Sequence, residues 1–71
     1  MGMERKMIGE RMRQVRKDNG ITQVEFASIL GVSRSKYHCV ENGDKAPNLE
    51  QICIILNKYS VDANWLLCVD D

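Results

Sequence analysis

Apolar residues recur at helical spacing along most of this chain, and the polar residues between them carry start and stop signals. Ile8, Met12 and Val15 fall at i, i+4 and i+7, which predicts a helix from about residue 4 to 18, stopped by Asn19-Gly20. Thr22-x-x-Glu25 reads as a capping box opening a second helix, with Phe26, Ala27 and Leu30 inward and Gly31 at its end. Ser33 suits the N-cap of a third helix that turns Tyr37 and Val40 inward and stops at Asn42-Gly43. After an irregular Asp44-Lys45-Ala46-Pro47 segment, Asn48-x-x-Gln51 resembles another cap. Leu49, Ile52, Leu56 and Tyr59, with Ile55 beside them, form the expected inner stripe of a fourth helix. Asp62 caps a short fifth helix presenting Trp65, Leu66 and Val69. No run alternates as a strand would. The prediction is an all-α fold of five helices, with helices 4 and 5 at about 48–68.

The informative stretch is 22–41, two short helices joined by a tight turn. Their backbones can meet at a sharp corner only if a small side chain faces the partner helix, which Ala27 supplies. The turn also needs a residue tolerant of positive φ, which Gly31 supplies. With Tyr37 and Val40 inward, Arg34, Ser35, Lys36, His38 and Cys39 remain outward, a basic and hydrogen-bonding face of the kind a helix-turn-helix offers to the major groove.

Composition narrows the choices further. At 71 residues the chain is expected to be one domain, 1–71, with no second domain to sense a small-molecule ligand. Its longest apolar run, Ile52 to Leu56, is far short of the roughly 20 residues a membrane span needs. Ten basic and ten acidic residues balance overall but not along the chain. Residues 1–47 carry nine basic and six acidic groups, net +3, and residues 48–71 carry one and four, net −3. A polyanion is therefore expected to meet the first two-thirds. Cys39, Cys53 and Cys68 are an odd number without a Cys-x-x-Cys pair, which suits a reducing, cytoplasmic setting.

Catalytic and metal readings are weak. His38 and Cys39 are adjacent and point about 100° apart on a helix, with no third group to orient them, so they make no nucleophile–base pair. The same divergence and the lack of short ligand spacing argue against a zinc site built from His38, Cys39, Cys53 and Cys68. Cys53 and Cys68 read as small, partly buried hydrophobes. No cofactor, no metal and no enzyme activity are expected.

The segments Thr22-Gln23-Val24-Glu25-Phe26-Ala27, Gly31-Val32-Ser33-Arg34-Ser35 and Val40-Glu41-Asn42-Gly43 resemble the Cro/repressor (Xre-type) helix-turn-helix family. Pro47-Asn48-Leu49-Glu50 and Val61 to Leu67 are similar to its fourth and fifth helices, so the resemblance covers about residues 7–67. It implies a compact lambda-repressor-like domain that binds double-stranded DNA. On this resemblance Arg34 and Ser35 meet base edges, with Lys36, His38 and Cys39 on the same helix. Thr22, Gln23, Ser33, Asn42 and Lys45 hold phosphates, and Gln23 also braces the recognition helix. Arg16 and Glu41 form a structural pair. Cys39 departs from the Gln or Arg of many relatives, and a thiol reads bases poorly. Independently of the family, an Arg gripping guanine bidentately discriminates by about 1–3 kcal/mol. The expected protein is a repressor acting as a homodimer on a palindromic operator, with Ile54, Trp65, Leu66 and Leu67 at the dimer interface. The alternative is a protein-interaction module, such as an antitoxin, that uses the same fold to bind a partner protein.

Overall fold

The computed structural model describes residues 4–69; positions 1–3 and 70–71 of the expected domain lie outside them. Five helices follow in order: α1 (Arg5–Asp18), α2 (Gln23–Leu30), α3 (Arg34–Glu41), α4 (Leu49–Tyr59) and α5 (Ala63–Leu66). Among the described residues there is no strand.

Local chemistry sets most boundaries. Thr22 Oγ1 accepts from Glu25 N at 3.1 Å, and the Glu25 carboxylate accepts from Thr22 N at 3.0 Å, so the capping box is complete. Ser33 and Asp62 also accept from backbone N–H groups two or three residues on. The first three helices close alike. A glycine N–H bonds three residues back and the next N–H bonds five back, as with Gly31 N to Ser28 O and Val32 N to Ala27 O. Gly31 has φ 74° and ψ 28°, the left-handed geometry that lets the chain turn from α2 into α3 within three residues.

The fourth helix ends differently. Ser60 occupies the left-handed region at φ 53° and ψ 42°, where a Cβ is unfavourable. Ser60→Gly removes that strain but frees the unfolded chain, and the two effects largely offset. A net gain of about 0.5 kcal/mol is expected, read as a rise of about 2–4 °C in Tm by circular dichroism.

The core centres on Phe26, which receives Tyr37 edge-on at 5.3 Å between ring centroids and Tyr59 at 5.7 Å. Around it are packed Ile8, Met12 and Val15 of α1, Ala27 and Leu30 of α2, Val40 of α3, Ile55 of α4, and Leu66 and Cys68 near the C-terminus. The expected stripe on α4 is rotated. Gln51 and Ile55 are fully buried, Ile52, Leu56 and Tyr59 are partly buried, and Leu49 is 74% exposed. Leu49 is the first helical residue and stands at the edge of the stripe that the rotation turns outward. Asn48 accepts from Gln51 N at 2.8 Å, but the Gln51 side chain turns into the core, where neither amide atom finds a partner. Cys53 is exposed rather than partly buried. Val69 is exposed too, and Cys68, at φ 60°, takes the inward place instead.

Candidate nucleic-acid interface

The third helix is held along one row and free along the opposite one. Its inner row is Tyr37, Val40 and Glu41, all buried. The Tyr37 hydroxyl is enclosed beside Glu41 and Arg16. Burial first, and then the Glu41 carboxylate, push its pKa far upward. At its C-terminal end α3 lies directly against α1. A Cβ placed on Gly9 would stand 2.5 Å from the carbonyl oxygens of both Val40 and Glu41, so only glycine permits this approach. Sequence reading missed Gly9; its one signal was a glycine in the middle of an amphipathic helix, where it weakens the helix and needs a packing reason.

Three helices converge on Glu41, whose side chain is 4% exposed. Arg16 donates from Nε at 2.9 Å to one carboxylate oxygen and from its terminal nitrogen at 3.1 Å to the other, the bidentate geometry that suits guanidinium and carboxylate. The remaining Arg16 nitrogen donates to the Ile21 carbonyl at 2.9 Å. Gln23 Nε2 donates to Glu41 Oε1 at 3.1 Å, which ties the start of α2 to the end of α3. Burial by itself would raise the Glu41 pKa. Hydrogen bonds from Arg16 and Gln23, the Arg16 charge and the nearby Tyr37 hydroxyl outweigh it, and the net pKa is lowered. The Arg16 pKa rises correspondingly, chiefly through its hydrogen bonds to Glu41.

The five base-contact candidates lie outside this anchor. Arg34, Ser35, Lys36 and His38 are exposed, and Cys39 is half-buried. Ser35 and Cys39, four residues apart, share the centre of the outward face, with Lys36 and His38 on opposite flanks. The side chains of Arg34, Ser35 and Lys36 meet no partner among the described residues. His38 is engaged: Asn42 Nδ2 lies 3.0 Å from its Nε2, so a base candidate and a phosphate candidate form one pair. The other phosphate candidates differ in what they still offer. Thr22 has spent its hydroxyl proton on Glu25 at 3.0 Å and Gln23 is committed to Glu41, whereas Ser33 accepts a cap bond and keeps its proton. Lys45 is exposed in the loop after α3.

The dimer candidates divide. Ile54, Trp65 and Leu67 are partly buried, but Leu66 is 0% exposed and belongs to the core. Leu66 cannot reach a second chain, because α5 is docked by that residue. Arg11 fixes the same helix, with its guanidinium 5.4 Å from the Trp65 ring centroid and donating to the Trp65 carbonyl.

Other concentrations of chemistry are sparse. Among the described residues, no three His, Cys, Asp or Glu side chains gather at one point, and no helix is long and apolar enough to cross a membrane. A shallow cleft of about 250 Å³ has Val15, Tyr59, Val61 and Trp65 among its walls. It is smaller than the roughly 300–1,000 Å³ usual for small-molecule sites.

Known proteins agree with this geometry. A helix-turn-helix domain family matches residues 9–69. The antitoxin PezA of Streptococcus pneumoniae is 42% identical over 55 residues, 78% of this chain and 35% of PezA. The HTH-type transcriptional regulator YobD of Bacillus subtilis is 31% identical over 65 residues, 92% of this chain and 58% of YobD. The chain therefore spans only part of the length of these relatives. Among solved structures, the restriction-modification controller protein C.AhdI from Aeromonas hydrophila superposes with a TM-score of 0.72 at 26% identity, covering 86% of this chain and 92% of C.AhdI. By the family match over 9–69 and these likenesses, the chain belongs to the Xre-type helix-turn-helix family of DNA-binding transcriptional regulators.

Proposed function

We propose that this chain is a cytoplasmic, sequence-specific repressor, without catalytic activity, that acts as a homodimer on a two-fold symmetric operator. The observation that carries the reading is the exposed, unpartnered first turn of α3, Arg34, Ser35 and Lys36, on a helix anchored to the core by Tyr37, Val40 and Glu41. A helix fixed on one side with free donors on the other suits the major groove. There Arg34 grips a guanine, Ser35 and Lys36 meet neighbouring base edges, and Cys39 contributes little. Asn42, Lys45 and Ser33 hold phosphates beside it. Gln23 acts mainly through Glu41, keeping the helix aimed.

A single module of this size covers only about 600–1,000 Å² of DNA. Pairing two copies with recognition helices about 34 Å apart doubles the contacts. Half-buried Ile54, Trp65 and Leu67, with exposed Val69 close by, lie in the acidic third of the chain and supply the dimer contact.

The test is selection of bound duplexes from a random DNA pool, followed by binding of Arg34→Ala to the selected site. A loss of about 1–3 kcal/mol on that site, with binding to random duplex nearly intact, is expected. An equal loss on both would make Arg34 a phosphate contact, and no enrichment at all would overturn DNA recognition.

The likeness to an antitoxin supports a second reading, in which the fold also docks a partner protein. Salt separates the two. Binding to DNA through several phosphates weakens steeply between 50 and 200 mM salt, and a module that only docks proteins has no DNA affinity to lose.

A further inference from the structure

The phosphate contacts proposed above come from the two ends of α3 and the loop after it, and none from α1. Yet Lys6, Gly9, Arg13 and Arg16 fall at i, i+3, i+7 and i+10, one face of α1, and each meets the end of α3. The Cα of Lys6 lies 2.7 Å from where a Cβ on Gly43 would stand, a contact that glycine alone allows. Gly9 abuts the Val40 and Glu41 carbonyls. Arg13 Nε is 3.9 Å from Glu41 Oε1, and Arg16 grips the same carboxylate from both nitrogens. This face therefore runs beside Val40, Glu41 and Gly43, which flank the phosphate candidate Asn42, with Lys45 two residues beyond Gly43.

Its charges do not cancel. The single negative charge of Glu41 is matched by Arg16. Arg13 makes no hydrogen bond to it at 3.9 Å, and 56% of the Arg13 side chain is exposed. Lys6 is exposed as well. The nearest acids are Glu4 and Glu10 along the chain and Asp44 in the loop beside Gly43. Among the described residues, none of the three comes within 4.0 Å of a Lys6 or Arg13 nitrogen. Two surplus cations thus stand on a rigid helix beside the row where a DNA strand is expected.

We infer that Lys6 and Arg13 form a phosphate-binding strip on α1, over which the backbone held by Asn42 and Lys45 continues. This inference rests on the DNA-binding reading and widens the footprint by two phosphates in each half-site. The strip steadies the complex without reading sequence.

The test compares wild type, Lys6→Gln and Lys6→Gln/Arg13→Gln on the selected operator and on random duplex, across 50–200 mM salt. Each lost contact should lower the slope of log K against log salt by about 0.9. At the upper salt the double variant should bind at least tenfold more weakly, by the same factor on both duplexes, with an unchanged thermal midpoint. A wild-type slope retained in the folded double variant overturns the strip while leaving the DNA reading intact, since Arg34→Ala still discriminates. If the double variant melts early, Lys6→Gln decides, because Lys6 makes no contact with Glu41. A wild-type chain that shows no salt-dependent DNA binding overturns both.

Discussion

Glu41→Ala lowers the stability of the folded chain by about 3 kcal/mol, because it leaves the Arg16 guanidinium mostly enclosed with no counter-charge. A chain of this size has roughly 4–10 kcal/mol of stability, so the variant loses between about a third and three-quarters of it. Urea titration followed by circular dichroism measures the loss. Glu41→Gln retains one acceptor and should cost less. The same carboxylate shapes the acid limb of stability. Its folded pKa is depressed, so its contribution is complete above the ordinary glutamate value of about 4.3 and drains away as the pH falls through the lower folded value. Wild type should therefore lose stability more steeply than Glu41→Gln between about pH 5 and pH 3, and parallel curves would remove Glu41 from that account.

Gly9→Ala has the next largest effect, and its sign comes from two opposed terms. Alanine favours a helix over glycine by about 1 kcal/mol. Against this, the new methyl would stand 2.5 Å from two carbonyl oxygens, both of them backbone and neither able to swing aside. Overpacking costs about 1–3 kcal/mol, and an obstacle that cannot rotate away places the cost at the upper end. The net expectation is a loss of about 2 kcal/mol, together with weaker operator binding, since α1 can relieve the clash only by moving off the end of α3. A stabilised Gly9→Ala would mean that the two helices are further apart than described.

Both sites show what a sequence discloses. Short-range chemistry is legible: Thr22 with Glu25, Ser33 and Asp62 act within a few residues, and the stops at Gly20, Gly31 and Gly43 concern one residue's backbone. The corner at Ala27 and Gly31, and hence the outward row from Arg34 to Cys39, follows from the same reasoning. Contacts set by docking angles are not legible. The spacing of Leu49, Ile52 and Leu56 marks an apolar face but not how far α4 rotates it toward Phe26, so Leu49 lies outside and Gln51 inside. Leu66 and Trp65 are neighbours in the same apolar run, and only the placement of α5 makes one a core anchor and leaves the other at the edge. Arg16 and Glu41 are 25 residues apart, and family resemblance rather than spacing joined them.

The separation of α3 into a fastened edge and an unfastened edge has an evolutionary corollary. Exchanges at exposed Ser35 or Lys36 disturb no buried contact and should alter folding by no more than about 0.5 kcal/mol. Target preference can therefore drift quickly between descendants of such a gene, while Tyr37, Val40 and Glu41 stay the same. The helix works like a key whose teeth can be recut while its shank remains in the same lock.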